Sequence, residues 1–505
     1  MERIGLIDLG SNTARLVIFD ILEGGYFVTV DEMREAVRLG DTEPDGSLKA
    51  TRVLQAINSV KTFKKMCAVN KVDNIIAVAT AAVRSARNQR TFLNEMFSAT
   101  GVKFKVVSEE EEAMLVYQGV INSMDIPKGI IMEIGGGSTK FVYYNRRNIL
   151  NTAVLPVGAV TLTEMFVTKD KKPEECSSDM ENYFTGLLSQ FEWLKDIDPD
   201  AQLIGVGGSF RNLARIVRKI TRYPLDMVHN YNIAVKDFNA IYDTLKVLDN
   251  NKKARIKGIS TVRADVFPSA LSAIKAFVDY MGFSKIVTSG AGIREGIMFN
   301  YAVPSTLEKP ISDVLGHSLL TCVNHMNCSV SHADQVFNLS LQLFKQLRVL
   351  HKFPRMYIKV LRIAAYLGET GSKLKFYNSP KHSSYYILNS NLYGISHRDL
   401  VLAAYATDFY NKEESNWNEW SKYREYNIIS DEDVVAVNKL AVMLRLAQAF
   451  DFSRSDAITE INCDVLGDSV IMKTEINGDA SLEMKQAASV VWDFRKVFRK
   501  NLELI

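Results

Sequence analysis

The chain has 505 residues, 47% of them apolar, enough to bury several cores and to form two to four domains. Its formal charge of +3 is too small to attract a polyanion through the overall field, so any such affinity must reside in local clusters. The five cysteines, Cys67, Cys176, Cys322, Cys328 and Cys463, give neither a disulfide framework nor thiolate metal-site spacing. No apolar run reaches ~18 residues, and the first residues lack a basic segment and cleavable apolar stretch, so a cytoplasmic protein with no membrane contact is expected.

Residues 4–9, 15–20 and 26–30 read as short strands punctuated by Gly-Ser-Asn and Gly-Gly turns. An amphipathic helix over 48–68 follows, carried by Val53, Leu54, Ile57, Val60, Phe63 and Met66. Strand 74–80, helix 88–100, strand 103–107 and helix 110–124 complete an alternating α/β layer. A second unit opens near Lys128 with "IMEIGGGSTKF" and continues through helices around 175–195 and 209–220, the strand-turn "AQLIGVGGS", and "KIVTSGAGIREG". Pro304 and Pro310 bracket a polar connection. Residues 311–455 then read as successive helices, and a small β-β-α tail starts at Ala457.

The stretches "GLIDLGSNTARLVIFD" and "IIMEIGGGSTKFVYYN" share one layout: apolar strand, acidic residue, apolar residue, Gly, small polar loop, second apolar strand. Their acidic residues, Asp8 and Glu133, are 125 positions apart, which is close to one domain length and implies a duplicated domain. Glycines allow consecutive N–H groups to converge, and Ser/Thr hydroxyls add donors, so each loop suits phosphoryl oxygens. A carboxylate before such a turn repels phosphate and therefore suits a Mg²⁺ ion that attracts it, with Mn²⁺ as the alternative ion. An ordinary hairpin turn accounts for one copy, but less readily for two. A strand follows "EIGGGS" and no Gly-Lys-Ser/Thr ending occurs, which excludes the dinucleotide fingerprint and the Walker loop.

In this order, "DLGSNTARL", "ATAAVRSARN", "SEEEEAMLVYQGV", "IGGGSTKF", "GVGGSFRNLA", "RADVF" and "SGAGIREG" make a chain that resembles the exopolyphosphatase/guanosine pentaphosphate phosphohydrolase family of the actin, hexokinase and sugar-kinase superfamily. The resemblance spans about residues 3–300 and continues more weakly beyond. It implies two actin-like (ribonuclease H-like) α/β domains with mixed sheets at 1–125 and 126–303, a mostly helical HD-like domain at 304–456, and a small α+β tail at 457–505. It further implies Mg²⁺-assisted release of orthophosphate from inorganic polyphosphate or guanosine pentaphosphate, and a homodimer.

Residue by residue, the resemblance places Asp8, Gly10, Ser11, Asn12, Thr13 and Arg15 in the first phosphate loop, and Gly135, Gly136, Gly137, Ser138 and Thr139 in the second. Gly207, Gly208 and Ser209 form a third glycine turn; Asp8 and Glu133 are the metal-side carboxylates. Glu111 is the expected base that activates water, and Arg84 an arginine clamping phosphate oxygens. The alternative for Glu111 is purely structural, since four glutamates opening a helix also favour its positive end. Arg263 with Asp265, and Arg294 with Glu295, read as ion pairs or turns.

The chain departs from the family where it carries Glu133 in place of aspartate and Lys140 in place of glutamate. In the helical region His332 fits an HD-type metal site, but Gly368-Glu369 and Gln448 stand where further ligands are expected, so a second metal centre is not expected. Lys140, Arg211, Arg215 and His382 are candidates to face substrate. Arg211, Arg215, Arg218, Lys219 and Arg222, and then Lys252, Lys253, Arg255 and Lys257, either guide a long anion or are solvated surface. Nucleic acid is disfavoured, because no aromatic stripe interleaves with these charges. The rival readings are a nucleotide phosphohydrolase, a non-catalytic polyphosphate or nucleotide sensor, and a sugar kinase.

Overall fold

The computed structural model describes residues 1–168, 170–248, 264–307, 309–408 and 417–505. The second basic cluster, at 252–257, and Arg263 lie outside the described residues. The chain divides into unit 1, Met1–Tyr223 with Met227–Val314, and unit 2, Pro224–Asp226 with Leu315–Ile505.

Unit 1 contains two sheets built to the same plan. The first comprises β1 (Glu2–Leu9), β2 (Thr13–Ile21), β3 (Phe27–Ala36), β4 (Asn74–Ala79) and β5 (Lys105–Val106), in the order β3-β2-β1-β4-β5. β1 pairs antiparallel with β2 and parallel with β4. The second comprises β6 (Lys128–Ile134), β7 (Thr139–Asn145), β8 (Asn148–Leu155), β9 (Gln202–Val206), β10 (Tyr231–Ala234) and β11 (Lys285–Thr288), in the order β10-β11-β9-β6-β7-β8. Here β6 pairs antiparallel with β7 and parallel with β9. The hairpin-then-crossover order is thus repeated, with β10 added at one edge.

Alternation along β1 sends its side chains to two cores. Ile7 and Leu9 pack with Leu16 and Ile18 under helix α1 (Ala50–Val69), whose Val53, Ile57, Val60 and Phe63 form one face. Ile4 and Leu6 join Val17 and Phe19 on the opposite face, near helix α2 (Glu109–Ile121). In the second sheet Ile130, Met132 and Ile134 enter the larger core, while Ile131 packs on Val116 and Val120 of α2. Helix α3 (Ile293–Ala302) crosses α2 with backbones nearly touching: a Cβ on Gly296 would lie 1.9 Å from the Leu115 carbonyl, and one on Gly119 would lie 2.1 Å from that of Gly292. These glycines let one helix pair seat both sheets, and the two hairpin turns consequently face each other.

Two expectations for this unit are corrected. The third strand runs to Ala36, well past residue 30, because "DEMREA" is held as an edge strand by antiparallel pairing through Thr13↔Ala36 despite its charge. The helix expected to about residue 195 ends at Leu188, and a separate 3₁₀ turn covers Glu192–Asp196.

Unit 2 contains helices Val330–Gln346, Tyr357–Leu367, His397–Asp408 and Asp431–Ala449, with a sheet of β12 (Ile458–Leu466), β13 (Ser469–Ile476) and β14 (Asn501–Leu504). The expected β-β-α tail gains β14, which pairs parallel with β13. Its helix is split into Ser481–Ala488 and Val491–Phe498, where the Ser489 hydroxyl donates to the Gln486 carbonyl at 2.6 Å and competes with the helical ladder. His332 Nδ1 lies 2.5 Å from Asp451 and its Nε2 3.4 Å from Glu369, which Arg454 also pairs. Among the described residues no helix is long and apolar enough to cross a membrane.

Candidate functional site

The two hairpins place opposite charges at equivalent positions. β1–β2 register sets Asp8 opposite Arg15, and β6–β7 register sets Glu133 opposite Lys140. In each turn the leading glycine amide donates to a carbonyl three residues on: Gly10 to Thr13 at 3.1 Å, and Gly135 to Ser138 at 2.9 Å. Other carbonyls of the loops are engaged from behind. Ser11 accepts from the Gly40 amide and Asn12 from those of Val37 and Arg38, while Gly135 and Gly136 accept from the first amides of helix α4 (Ala159–Phe166). The two turns come into contact: a Cβ on Gly136 would sit 2.8 Å from Ser11 Cβ. Two buried polar atoms here, Asn12 Nδ2 and Ser138 Oγ, make no hydrogen bond within the protein. Polar atoms of this kind need a partner from outside the protein, water or a ligand.

Between the turns lies a cleft of about 990 Å³, open to solvent. Asp8, Gly10, Ser11, Asn12, Thr13 and Arg15 line one side; Gly135, Gly136, Ser138, Glu133 and Lys140 line the other. Gly207 and Gly208 close the end, where Gly207, at φ +95°, caps helix α5 (Gly208–Thr221) and its free amides. Arg211, one turn into α5, also reaches the cleft and donates to the Gly290 carbonyl at 2.9 Å.

The structure places the expected base, Glu111, outside the cleft and its neighbour Glu112 on the cleft wall. Glu111 is absent from the cleft wall; its side chain is 38% exposed and pairs with Lys105. Ser108 caps α2 and accepts from the Glu111 amide at 3.1 Å, which makes Glu111 the third residue of the first turn, facing outward. Glu112, one helical step on, is turned inward and is 6% exposed. It lines the cleft, with Oε1 2.6 Å from Lys140 Nζ and Oε2 3.0 Å from Arg84 Nη1. The signal was present in the sequence: Ser108-x-x-Glu111 is capping-box spacing, which marks Glu111 as a helix-start residue.

Arg84 does not line the cleft. Its guanidinium donates to Glu112, to Glu109 and to the Val107 carbonyl, so it holds Glu112 from behind the cleft wall. Thr139 is fully buried with its hydroxyl on the Val157 carbonyl at 2.8 Å, and it and Ser209 pack within their lobe instead of lining the cleft. Gly137 also lies off the wall, with its Cβ direction facing Ala81. Arg294, read from sequence as structural, is instead a buried part of the cleft wall. Glu295 does both: it lines the cleft and accepts from the Gly292 amide at 2.7 Å. Asp265 pairs with Arg38 at 3.3 Å. His382 lies in unit 2, half-buried on helix Ser379–Asn389.

The electrostatics of the two metal-side candidates differ. Burial pushes the Asp8 carboxyl up to about 6, with Glu112 and Glu133 adding to the effect and Arg294 and Arg15 opposing it. A cation beside Asp8 would reverse that penalty, so Asp8 is the residue that would hold a Mg²⁺ ion. Glu133 does not fit as a ligand, because Lys140 Nζ, 3.0 Å away, already bridges it to Glu112. Burial alone would lower the Lys140 pKa, but the two glutamates more than reverse this and hold the ammonium charged. Among the described residues, no group of three or more His, Cys, Asp or Glu is arranged to hold a metal.

The chain is similar to several known proteins. The bifunctional 3-dehydroquinate synthase/phosphatase of Fusobacterium nucleatum is 29% identical over 297 residues, covering 56% of this chain and 44% of that protein. The guanosine-5'-triphosphate,3'-diphosphate pyrophosphatase of Aeromonas hydrophila is 24% identical over 399 residues, 77% of each chain. Among solved structures, an exopolyphosphatase from Cytophaga hutchinsonii superposes with a TM-score of 0.56 at 27% identity, over 60% of this chain and 98% of its own. The Ppx/GppA phosphatase family matches residues 17–303 and its domain III matches 317–488, and the chain belongs to the Ppx/GppA phosphatase family.

Proposed function

We propose that this chain is an exopolyphosphatase that releases terminal orthophosphate from inorganic polyphosphate by attack of a Glu112-aligned water. The observation that carries the reading is the convergence of both phosphate-suited turns, with their orphaned donors, on a cleft whose wall presents Glu112. Phosphoryl transfer passes through a loose transition state, so catalysis is mostly positioning and charge stabilisation. Glu112, fixed on both oxygens by Lys140 and Arg84, is an acceptor with one orientation; it aims the water and takes its proton as the bond to phosphorus forms. The amides of the turns and of the α5 start, with Arg15, Arg211 and Arg294, receive the charge that develops on the phosphoryl oxygens and on the leaving chain. Lys140 has three N–H donors, two of them spent on Glu112 and Glu133, and the third is available to the ligand. Mg²⁺, when bound, supplies screening of the phosphate charges beside Asp8.

The same proposal includes the finer architecture: the two matching lobes as actin-like domains divided near residue 125, a helical HD-related domain at 304–456, and the tail at 457–505. A homodimer rests on the family resemblance, and a cytoplasmic location on the thinly spread cysteines and the lack of a long apolar run. Guanosine pentaphosphate is the second substrate reading, favoured by the Aeromonas relative's name and its 77% coverage of this chain. Phosphate release from defined-length polyphosphates and from guanosine pentaphosphate, with Mg²⁺ or with chelator, tests it. The expected result is Mg²⁺-stimulated release favouring polyphosphate. Tight binding without release from either substrate, or transfer of phosphate from ATP to a sugar, would contradict it.

A further inference from the structure

Next to the cleft, sharing Arg15, Gly208, Arg211, Arg294 and Glu295 with it, is an annex of about 850 Å³ walled by β2, β3 and α5. Two more arginines, Arg34 and Arg215, belong to the annex and not to the cleft. Five arginines therefore face one small space, against the two carboxylates Glu32 and Glu295, and Glu295 is already engaged by the Gly292 amide.

The backbone forces this crowding. β2–β3 register sets Arg15 directly opposite Arg34, a like-charge cross-strand pair that destabilises a sheet unless something lies between the charges. Arg211 and Arg215 are one helical turn apart on α5, so they share a face. Arg294 is only 7% exposed and makes no ion pair among the described residues. Burial, and then the charge of Arg294, push the Arg15 guanidinium down to about 10; burial and Arg215 lower that of Arg34. Glu32 offsets part of this for both, and Arg34 and Arg215 are exposed to solvent, so among the described residues the annex carries an excess of positive charge at an open surface.

We propose that this annex is a second phosphate subsite, which holds a further run of phosphates of the same substrate while its terminal phosphoryl group occupies the cleft. The ligand is a pyrophosphate-like segment: guanidinium forks match the oxygens of adjacent phosphates bidentately. Two sources carry that chemistry, the distal residues of a linear polyphosphate and the 3'-diphosphate of a guanosine polyphosphate. The inference rests on the phosphohydrolase reading and deepens it.

The test uses the full-length R34Q/R215Q variant, which leaves every cleft residue in place. K219Q, exposed on the same helix outside the annex, controls for general surface charge. If the annex holds distal phosphates, KM for long-chain polyphosphate rises about tenfold or more, while kcat, and KM for tripolyphosphate, stay within about twofold of wild type. If it holds the 3'-diphosphate, KM rises for guanosine pentaphosphate and not for GTP. Either pattern, with K219Q unchanged, supports the subsite. Equal KM for wild type and variant on all four substrates, equal losses on short and long substrates, or the same loss in K219Q would overturn it. Fluorescence-anisotropy competition with unlabelled long-chain polyphosphate separates this from failure of the phosphohydrolase reading. A wild type that released no phosphate but bound the chain more tightly than the variant would refute hydrolysis and keep the subsite. Equal binding would refute the subsite on its own.

Discussion

The two hairpins of unit 1 share strand order, turn and register, yet handle charge in opposite ways. In the first, Asp8 faces Arg15 across the ladder without closing on it, and the strand beyond adds Arg34; the carboxyl is half-buried and hard to ionise, and the cations are crowded. In the second, Glu133 and Lys140 close into a buried ion pair, which Glu112 completes as a triad. One backbone thus serves two tasks. The first hairpin gathers an excess of positive charge beside a carboxyl that is hard to ionise; the second sets its cation between Glu133 and Glu112, the carboxylate proposed to align the water.

The largest expected effect on stability comes from breaking the balanced hairpin. Lys140→Met leaves the partly buried Glu133 without its cation and Glu112 with Arg84 alone, and denaturant unfolding should show a loss of about 3 kcal/mol. An unchanged unfolding midpoint would mean that the triad is not a buried charge network. Smaller, and opposite in sign, is the effect of relieving the strained hairpin. Asp8 is harder to ionise in the folded chain than in the unfolded one, so folding loses stability as pH rises from the ordinary 3.8 through about 6. Asp8→Asn should therefore stabilise the protein by about 2–3 kcal/mol above pH 6, the gain shrinking toward zero as pH falls to about 4, while phosphate release is lost. Thermal melts across that pH range read it directly; a pH-independent gain would refute the account of Asp8.

Making the second hairpin more like the family's usual sequence sharpens the comparison further. E133D/K140E should bind Mn²⁺ about tenfold more tightly than wild type by titration calorimetry, since it supplies carboxylates where an ammonium now stands. No gain would place metal affinity wholly on Asp8. Least affected is the stability of Arg15→Met, expected within about 0.5 kcal/mol of wild type, because the cation it removes is repelled by its neighbours. Its affinity for polyphosphate should nevertheless fall.

Much of this was legible in the sequence, for physical reasons. Buried strands with a two-residue period, broken by glycine turns, announce a hairpin, and two such hairpins one domain length apart announce a duplication. The charge positions within the turns follow from that register. Glu112 was harder to find, because four consecutive glutamates are distinguished only by helical phase; the Ser108 cap fixes that phase and turns Glu111 to solvent. Arg34 was hidden differently. The segment carrying it is rich in charge and weak in strand propensity, and only pairing along an edge reveals that Arg34 stands opposite Arg15. Residues such as Thr139 matched a phosphate-loop pattern yet serve the loop's own backbone, a distinction that a motif does not contain.

The most direct measurement is phosphate release by Glu112→Gln and Glu111→Gln side by side, on one polyphosphate of defined length. Glu112→Gln should lose about 10²–10⁴-fold in kcat, with Glu111→Gln within about threefold of wild type. The reverse ranking, or equal activity in both variants with contaminating phosphatases excluded, would contradict the assignment of Glu112 as the residue that aims the water.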